Sequence, residues 1–125
     1  MSKTRIIHIR NLDSASQTRL QIKYCDTFFC RLRGLTFTSE IAPASGLMLV
    51  QKADSRLDAS IHMLAVSYDL AVIWINSSMT VVDKVLAKSW HLFYMPKEAA
   101  QYILEIHPDR LGEFEIGDRV QFENV

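Results

Sequence analysis

The run Leu70-Ala71-Val72-Ile73-Trp74-Ile75 is apolar at every position. A strand built from it has no face to turn to water, so it must be covered on both sides. After the polar turn Asn76-Ser77-Ser78, a second strand over residues 80–87 carries Val81, Val82, Val85 and Leu86, interrupted by Asp83 and Lys84. A hairpin this apolar is not stable alone in water, and the rest of the chain has to wrap it. The material is sufficient: 49% of the 125 residues are apolar. A chain of that size forms one globular domain over residues 1–125 and buries roughly two thirds of its unfolded surface.

The remaining segments supply more strands. Residues 5–10 alternate Ile7 and Ile9 against Ile6 and His8, and Leu20, Ile22 and Tyr24 alternate with Gln21 and Lys23. These two half-buried strands are expected to pair as a hairpin. Asp26 and Thr27 can cap a short helix over Phe28 to Leu32, which Gly34 would end. Residues 46–50 read as a short buried strand, and the polar residues 52–58 as a mobile connection. Trp90 to Pro96 is an aromatic-rich crossing, expected to lie as a lid on the core. A helical turn over Lys97 to Ala100, a strand over Tyr102 to Ile106, a short helix over Arg110 to Phe114 and a final strand over residues 119–123 complete the chain. The fold class is therefore mainly β: a barrel-like antiparallel or mixed sheet with short rim helices. Its core should include Ile22, Phe29, Leu47, Leu49, Val72, Trp74, Val82, Leu104 and Phe122.

Composition removes several function classes. Fourteen basic residues balance fourteen acidic ones, so no net field steers the chain toward nucleic acid or an anionic membrane, and neither is expected as a partner. No apolar run reaches the roughly 20 residues that span a bilayer. Residues 1–5 lead into a strand without the apolar core of a signal peptide, which makes the cytoplasm the expected compartment. Cys25 and Cys30 lie five apart, outside the spacing of zinc knuckles and dithiol redox sites, and are expected to be reduced thiols that bind no metal. No nucleophile elbow, phosphate-binding glycine loop or metal-binding His pair is present, so no cofactor is expected and a hydrolytic enzyme is the weakest reading.

Four stretches occur in an order that resembles a known family: Arg31-Leu32-Arg33-Gly34-Leu35, Gly46-Leu47-Met48-Leu49, Ile61-His62-Met63 with the strand that follows, and Tyr102-Ile103-Leu104-Glu105-Ile106 with Ile116-Gly117-Asp118. The pattern resembles domain of unknown function 192 over about residues 20–122. The resemblance implies a small β-rich barrel with short helices at the rim and brings no activity with it. The chain departs from the family wording at Thr36 and Phe37 and in the central strand, where Asp69 stands in the place of a Pro and Ala71 in that of an Asp.

The candidate site is the polar and aromatic set embedded in apolar surroundings: Arg31, Arg33, His62, Asp69, Trp90, Tyr94 and Glu105. In the ligand-binding reading, Arg31 and His62 hold a small anionic ligand or metabolite at the barrel mouth, with Trp90 and Tyr94 covering one side. The planar fork of Arg suits a carboxylate or phosphate. In the structural reading, Arg31 bridges Glu105 or a helix carbonyl, and His62 bonds backbone at the rim. A third reading is a protein-interaction module that docks through Trp90 to Met95. A contiguous exposed apolar patch there favours docking over a pocket. The sequence leaves the oligomeric state open.

Overall fold

The structure, a computed structural model, describes residues 5–14, 20–27, 43–63 and 66–124. Among them are seven strands: β1 (Arg5–Asn11), β2 (Leu20–Cys25), β3 (Ser45–Ser55), β4 (Leu70–Ile75), β5 (Val81–Ala87), β6 (Ala100–Ile106) and β7 (Val120–Asn124). They form one sheet in the order β5-β4-β6-β3-β2-β1-β7. The β2–β3 pair is parallel and the others are antiparallel, so the sheet is mixed. It curls into a half-barrel. The starts of its two edge strands meet at the Thr80–Arg119 bridge, where the Val81 and Val120 amides donate to the carbonyls of Asp118 and Met79.

All six residues of β4 are buried, as their uniform apolarity requires. Ala71, Ile73 and Ile75 point to the concave side and join Ile7, Ile9, Ile22, Met48, Leu104 and Val120 in one cluster. Leu70, Val72 and Trp74 point to the convex side and pack with Leu47, Leu49, Ile61, Met63 and Ile103. The β4–β5 turn is held by Asn76, whose side-chain oxygen accepts from the Ser78 and Thr80 amides at 3.0 Å each. Gly46 on β3 lies against β6 so closely that a Cβ there would come within 2.8 Å of the Glu105 carbonyl oxygen. No other residue fits that crossing.

Four expectations change. Residues 51–55 are not a mobile connection; they extend β3. The Gln51 carbonyl accepts from Gln101 Nε2, and the Asp54 carboxylate accepts from the Ser77 amide and hydroxyl at 2.8 and 2.7 Å. Their side chains are polar because they face water, while the backbone stays in the sheet. No helical turn spans residues 97–100: the Lys97 amide bonds Asp83 Oδ2, and β6 begins at Ala100. The helix after β6 is a 3₁₀ helix, Pro108–Glu113, begun by Pro108 and capped by His107 Nδ1, which accepts from the Asp109 amide. It sends Leu111, with Phe114 just beyond it, into the concave cluster. Finally, Cys25 is disulfide-bonded, which corrects the expectation of reduced thiols. Cys30, the chain's one other cysteine, lies outside the described residues, as do the expected helix over residues 28–32 and the core position Phe29. No described helix is long and apolar enough to cross a membrane.

Candidate functional site

Two segments outside the strands cover the convex face: residues 56–63 and 66–69, which precede β4, and residues 88–97, which follow β5. They hold each other as a short ribbon. Ile61 and Tyr94 exchange backbone hydrogen bonds at 2.9 and 2.8 Å, the Met63 amide donates to the His91 carbonyl, and the Trp90 amide donates to the Met63 carbonyl. The second segment turns sharply at Trp90, whose φ of 63° lies in the left-handed region. That conformation costs a bulky residue energy and persists where neighbours fix it.

The neighbours do fix it. Asp69 Oδ1 accepts from the Ser89 amide at 2.9 Å, and Asp69 Oδ2 pairs with Lys88 Nζ at 3.3 Å. The Tyr94 hydroxyl accepts from the Lys88 amide at 2.9 Å, and its ring stacks on His91 with centroids 4.4 Å apart. At the far end, Arg56 Nε donates to the Pro96 carbonyl and the Lys97 amide donates to Asp83. The Ser89 amide, followed by Lys88, holds the Asp69 carboxyl below the ordinary carboxylate range, against an opposing effect of burial.

The arm from Lys88 to Lys97 is thus fastened at its base, middle and end, yet its apolar side chains are not packed away. Leu92 is 72% exposed, Trp90 59%, Phe93 50% and Met95 40%. The expectation of a lid on the core, made for Trp90 to Pro96, holds only for the partly buried Tyr94, which packs against the convex cluster that contains Ile61 and Met63, and for the buried Pro96. Leu92 and Phe93, adjacent in sequence, are both exposed.

Of the candidates, Asp69, Trp90 and Tyr94 come together at the base of the arm. His62 lies exposed on the paired segment. Glu105 stands apart from them. It sits on β6 between Leu47 of β3 and Val72 of β4, in the same cross-strand row. It is 5% exposed, and among the described residues no hydrogen bond or ion pair reaches its carboxyl. Burial alone pushes that carboxyl up to about 7. Arg31 and Arg33 lie outside the described residues. The sequence reading missed Lys88, Ser89 and Asp83, whose part is to fasten the arm; Leu92, Phe93 and Met95 at its tip fall within the crossing Trp90 to Met95 that the interaction-module reading named. A separate open cleft of about 340 Å³ at the end of β3, lined by Gln51, Lys52, Ala53, Asp54, Ser55 and Asp58, contains none of the candidates. Among the described residues, no group of three or more His, Cys, Asp or Glu is placed to hold a metal ion.

Comparison with known proteins agrees with this architecture. A family model, DUF192, described as an uncharacterized ACR, matches residues 9–122. A UPF0127 protein of Thermococcus kodakarensis is 43% identical over 104 residues, which cover 82% of this chain and 64% of that protein. A UPF0127 protein of Pyrococcus furiosus is 33% identical over 118 residues, covering 92% of this chain and 97% of that one. The match spans 64–66% of the length of three Thermococcus relatives. Among solved structures, a Sinorhizobium meliloti protein described as a candidate transcription regulator superposes with a TM-score of 0.80 at 18% identity, covering 96% of this chain and 94% of that one. A protein of unknown function from Novosphingobium aromaticivorans gives 0.76 at 16% identity, covering 93% and 83%. At those identities the likeness is one of fold. The family match and the relatives together place the chain: it belongs to the uncharacterised family DUF192, whose curated members are named UPF0127 proteins.

Proposed function

We propose that this protein is a docking module whose contact surface is the arm from Lys88 to Lys97. One observation carries the reading: four large apolar side chains stand 40–72% exposed on a backbone fastened at both ends. An apolar patch on a mobile loop would lose its area to ordering on contact. A patch held in place before contact avoids most of that cost, and a central Trp is the side chain that most often dominates such surfaces. The small-anion reading has less support in the same geometry. The carboxylate at the base of the arm, Asp69, is itself an anion, and it engages Lys88.

Site-specific photo-crosslinking in the native host tests the docking reading. A photoreactive side chain at Leu92 should give a discrete adduct that the same group at Ile116, 55% exposed after the 3₁₀ helix, does not give. Equal labelling at the two positions, or none at either, overturns it. The cytoplasm remains the proposed compartment. The disulfide at Cys25 pulls against that placement, because a reducing compartment keeps thiols reduced. Alkylation of the protein at the moment of extraction decides the matter: two modified cysteines support the cytoplasm, and none places the protein in an oxidising compartment.

A further inference from the structure

The two segments that cover the convex face are bonded mainly to each other. Ile61 and Tyr94 exchange backbone hydrogen bonds, the Met63 amide donates to the His91 carbonyl, the Ser89 amide to Asp69 and Arg56 to the Pro96 carbonyl. Few hydrogen bonds cross from this cover to the strands. Among the described residues, the Asp58 amide donates to Ser55 Oγ, Trp74 Nε1 to the Ala59 carbonyl and the Lys97 amide to Asp83. The rest of the attachment is apolar: Ala59, Ile61, Met63 and Val66 complete the cluster that contains Leu47, Val72 and Ile103. Those last three flank Glu105. Leu47 and Val72 stand beside it in its cross-strand row, and Ile103 lies two residues before it on the same face of β6. Glu105 is 5% exposed, and no described residue gives its carboxyl a partner.

We infer that Glu105 is a release for the cover: ionisation of its carboxyl lifts the two segments together from the convex face and leaves the sheet folded. A carboxylate in an apolar layer needs water. Lifting the cover admits it by breaking a few hydrogen bonds and the contacts of Ala59, Ile61, Met63 and Val66. Unfolding the sheet would break every ladder and also the concave cluster, to which the cover contributes no residue. Chains open first where the fewest interactions are lost, and here that boundary runs between cover and sheet. Burial raises the carboxyl from 4.5 to about 7. Between those values the closed form keeps its proton, while the lifted form, with the carboxyl in water, has lost it. Closure is therefore strongest below pH 4.5 and weakens as pH rises through about 7. No neighbouring cation offsets the charge. β3 and β4 place Leu47, Leu49, Leu70, Val72 and Trp74 around Glu105. β2 adds the disulfide-bonded Cys25 and the exposed Lys23, beyond Leu47 in the same row. Asp83 of β5 is held by the Lys84 and Lys97 amides, and His107, just past β6, accepts the Asp109 amide. On the cover, Asp69 and Lys88 pair with each other, and Asp58, His62, His91 and Lys97 are exposed. Histidine is the other side chain that titrates near neutrality, so Glu105→Gln is the control.

The test is hydrogen exchange by NMR on the full chain between pH 5 and pH 7, corrected for intrinsic exchange. The Trp74 indole N–H, bonded to the Ala59 carbonyl, reports lifting of the cover. The backbone amides of the β4–β6 ladder report unfolding of the sheet. In wild type the indole should be at least about tenfold less protected than the ladder amides at each pH, as a partial opening requires. Its protection should fall at least about tenfold from pH 5 to pH 7, since each pH unit in that window is worth up to a factor of ten. In Glu105→Gln, which keeps the shape of the neutral acid, the indole protection should stay level. Equal protection of indole and ladder in wild type overturns the inference, because the cover then leaves only when the whole chain unfolds. An absent fall overturns it too, as does an undiminished fall in the variant, which assigns the response to a histidine. The experiment involves no partner, so its failure leaves the docking reading where it stood.

Discussion

The two faces of the sheet are buried by different means. The concave face is closed by the sheet itself: all seven strands send side chains into one cluster, and Leu111 and Phe114 plug it. Every member of that cluster is apolar or a partly buried aromatic. The convex face is covered by the irregular segments 56–63, 66–69 and 88–97, and it holds Asp83 and Glu105, the two buried carboxylates among the described residues. The difference has a physical cause. Strands satisfy their backbone in the ladder, whereas irregular backbone laid over a core must find its hydrogen bonds elsewhere. Asp83 supplies one, accepting from the Lys97 amide, and its other oxygen accepts from the Lys84 amide within β5. Trp74 Nε1 donates to the Ala59 carbonyl at 2.7 Å, and Asp69 receives Ser89. Polar groups on the convex face thus follow the irregular cover. Glu105 is the exception, for it serves none of that backbone.

The largest effect should come from putting a charge on either side of β4. Ile73→Asp faces the concave cluster and Val72→Asp the convex one, and both wild-type residues are fully buried. Each variant leaves an unpaired carboxylate in an apolar layer at a cost above about 4 kcal/mol, enough to prevent folding. Circular dichroism and a melting curve check this. A cooperative transition in Val72→Asp alone would show that the convex layer yields where the concave one does not.

Next in size is Glu105. Its carboxyl rises from 4.5 to about 7 in the folded chain because burial disfavours the charge. Between those values the unfolded state has lost its proton and the native state keeps it. The associated stability is therefore full below pH 4.5 and is lost as pH rises through about 7. The expected fall is up to about 3 kcal/mol in denaturant titrations across that window. Glu105→Gln should flatten it and be more stable than wild type at pH 8; an equally steep fall in the variant would assign the dependence to another group. Asp13 gives the contrasting sign. Its carboxyl, hydrogen-bonded by the Arg119 side chain and amide, lies at about 2, so its contribution is lost only as pH falls toward that value.

Trp74→Phe should cost about 2 kcal/mol, most of it from leaving the Ala59 carbonyl unpaired beneath the convex cover. Chemical denaturation measures it. A cost below about 0.5 kcal/mol would mean that water reaches that carbonyl and that the cover is looser than its hydrogen bonds suggest.

The ladder of the sheet was the legible part of the sequence. The uniform apolarity of Leu70 to Ile75 has one reading, and the alternation at Leu20, Ile22 and Tyr24 placed a half-buried strand where β2 runs. Residues 51–55 misled because their side chains carry no hydrophobic period. What keeps them in β3 is tertiary: pairing with β6 and the Asp54 contact to Ser77, 23 positions away. At the candidate site the sequence pointed to Asp69, Trp90 and Tyr94 without showing what joins them, since two of the partners are backbone amides, of Ser89 and Lys88, and every residue type has one. Aromatic density alone could not decide between a lid and an exposed patch. The five-residue spacing of the cysteines likewise carried no sign of a disulfide.

The smallest expected effect makes the finest distinction within the convex side. Tyr94 and Leu92 lie two residues apart on one arm, yet Tyr94 packs against the convex cluster while Leu92 is 72% exposed. If the tip belongs to the contact surface and not to the fold, Leu92→Ser should leave stability within about 0.5 kcal/mol of wild type, as exposed substitutions do. Tyr94→Phe removes the hydroxyl that receives the Lys88 amide and should cost about 1 kcal/mol. Parallel thermal melts of the two variants therefore measure where the core ends along the arm. A loss of more than about 1 kcal/mol in Leu92→Ser would move that boundary outward, make the tip a structural lid, and leave no free apolar surface for docking. A near-neutral Leu92→Ser beside a destabilised Tyr94→Phe puts the boundary between residues 92 and 94.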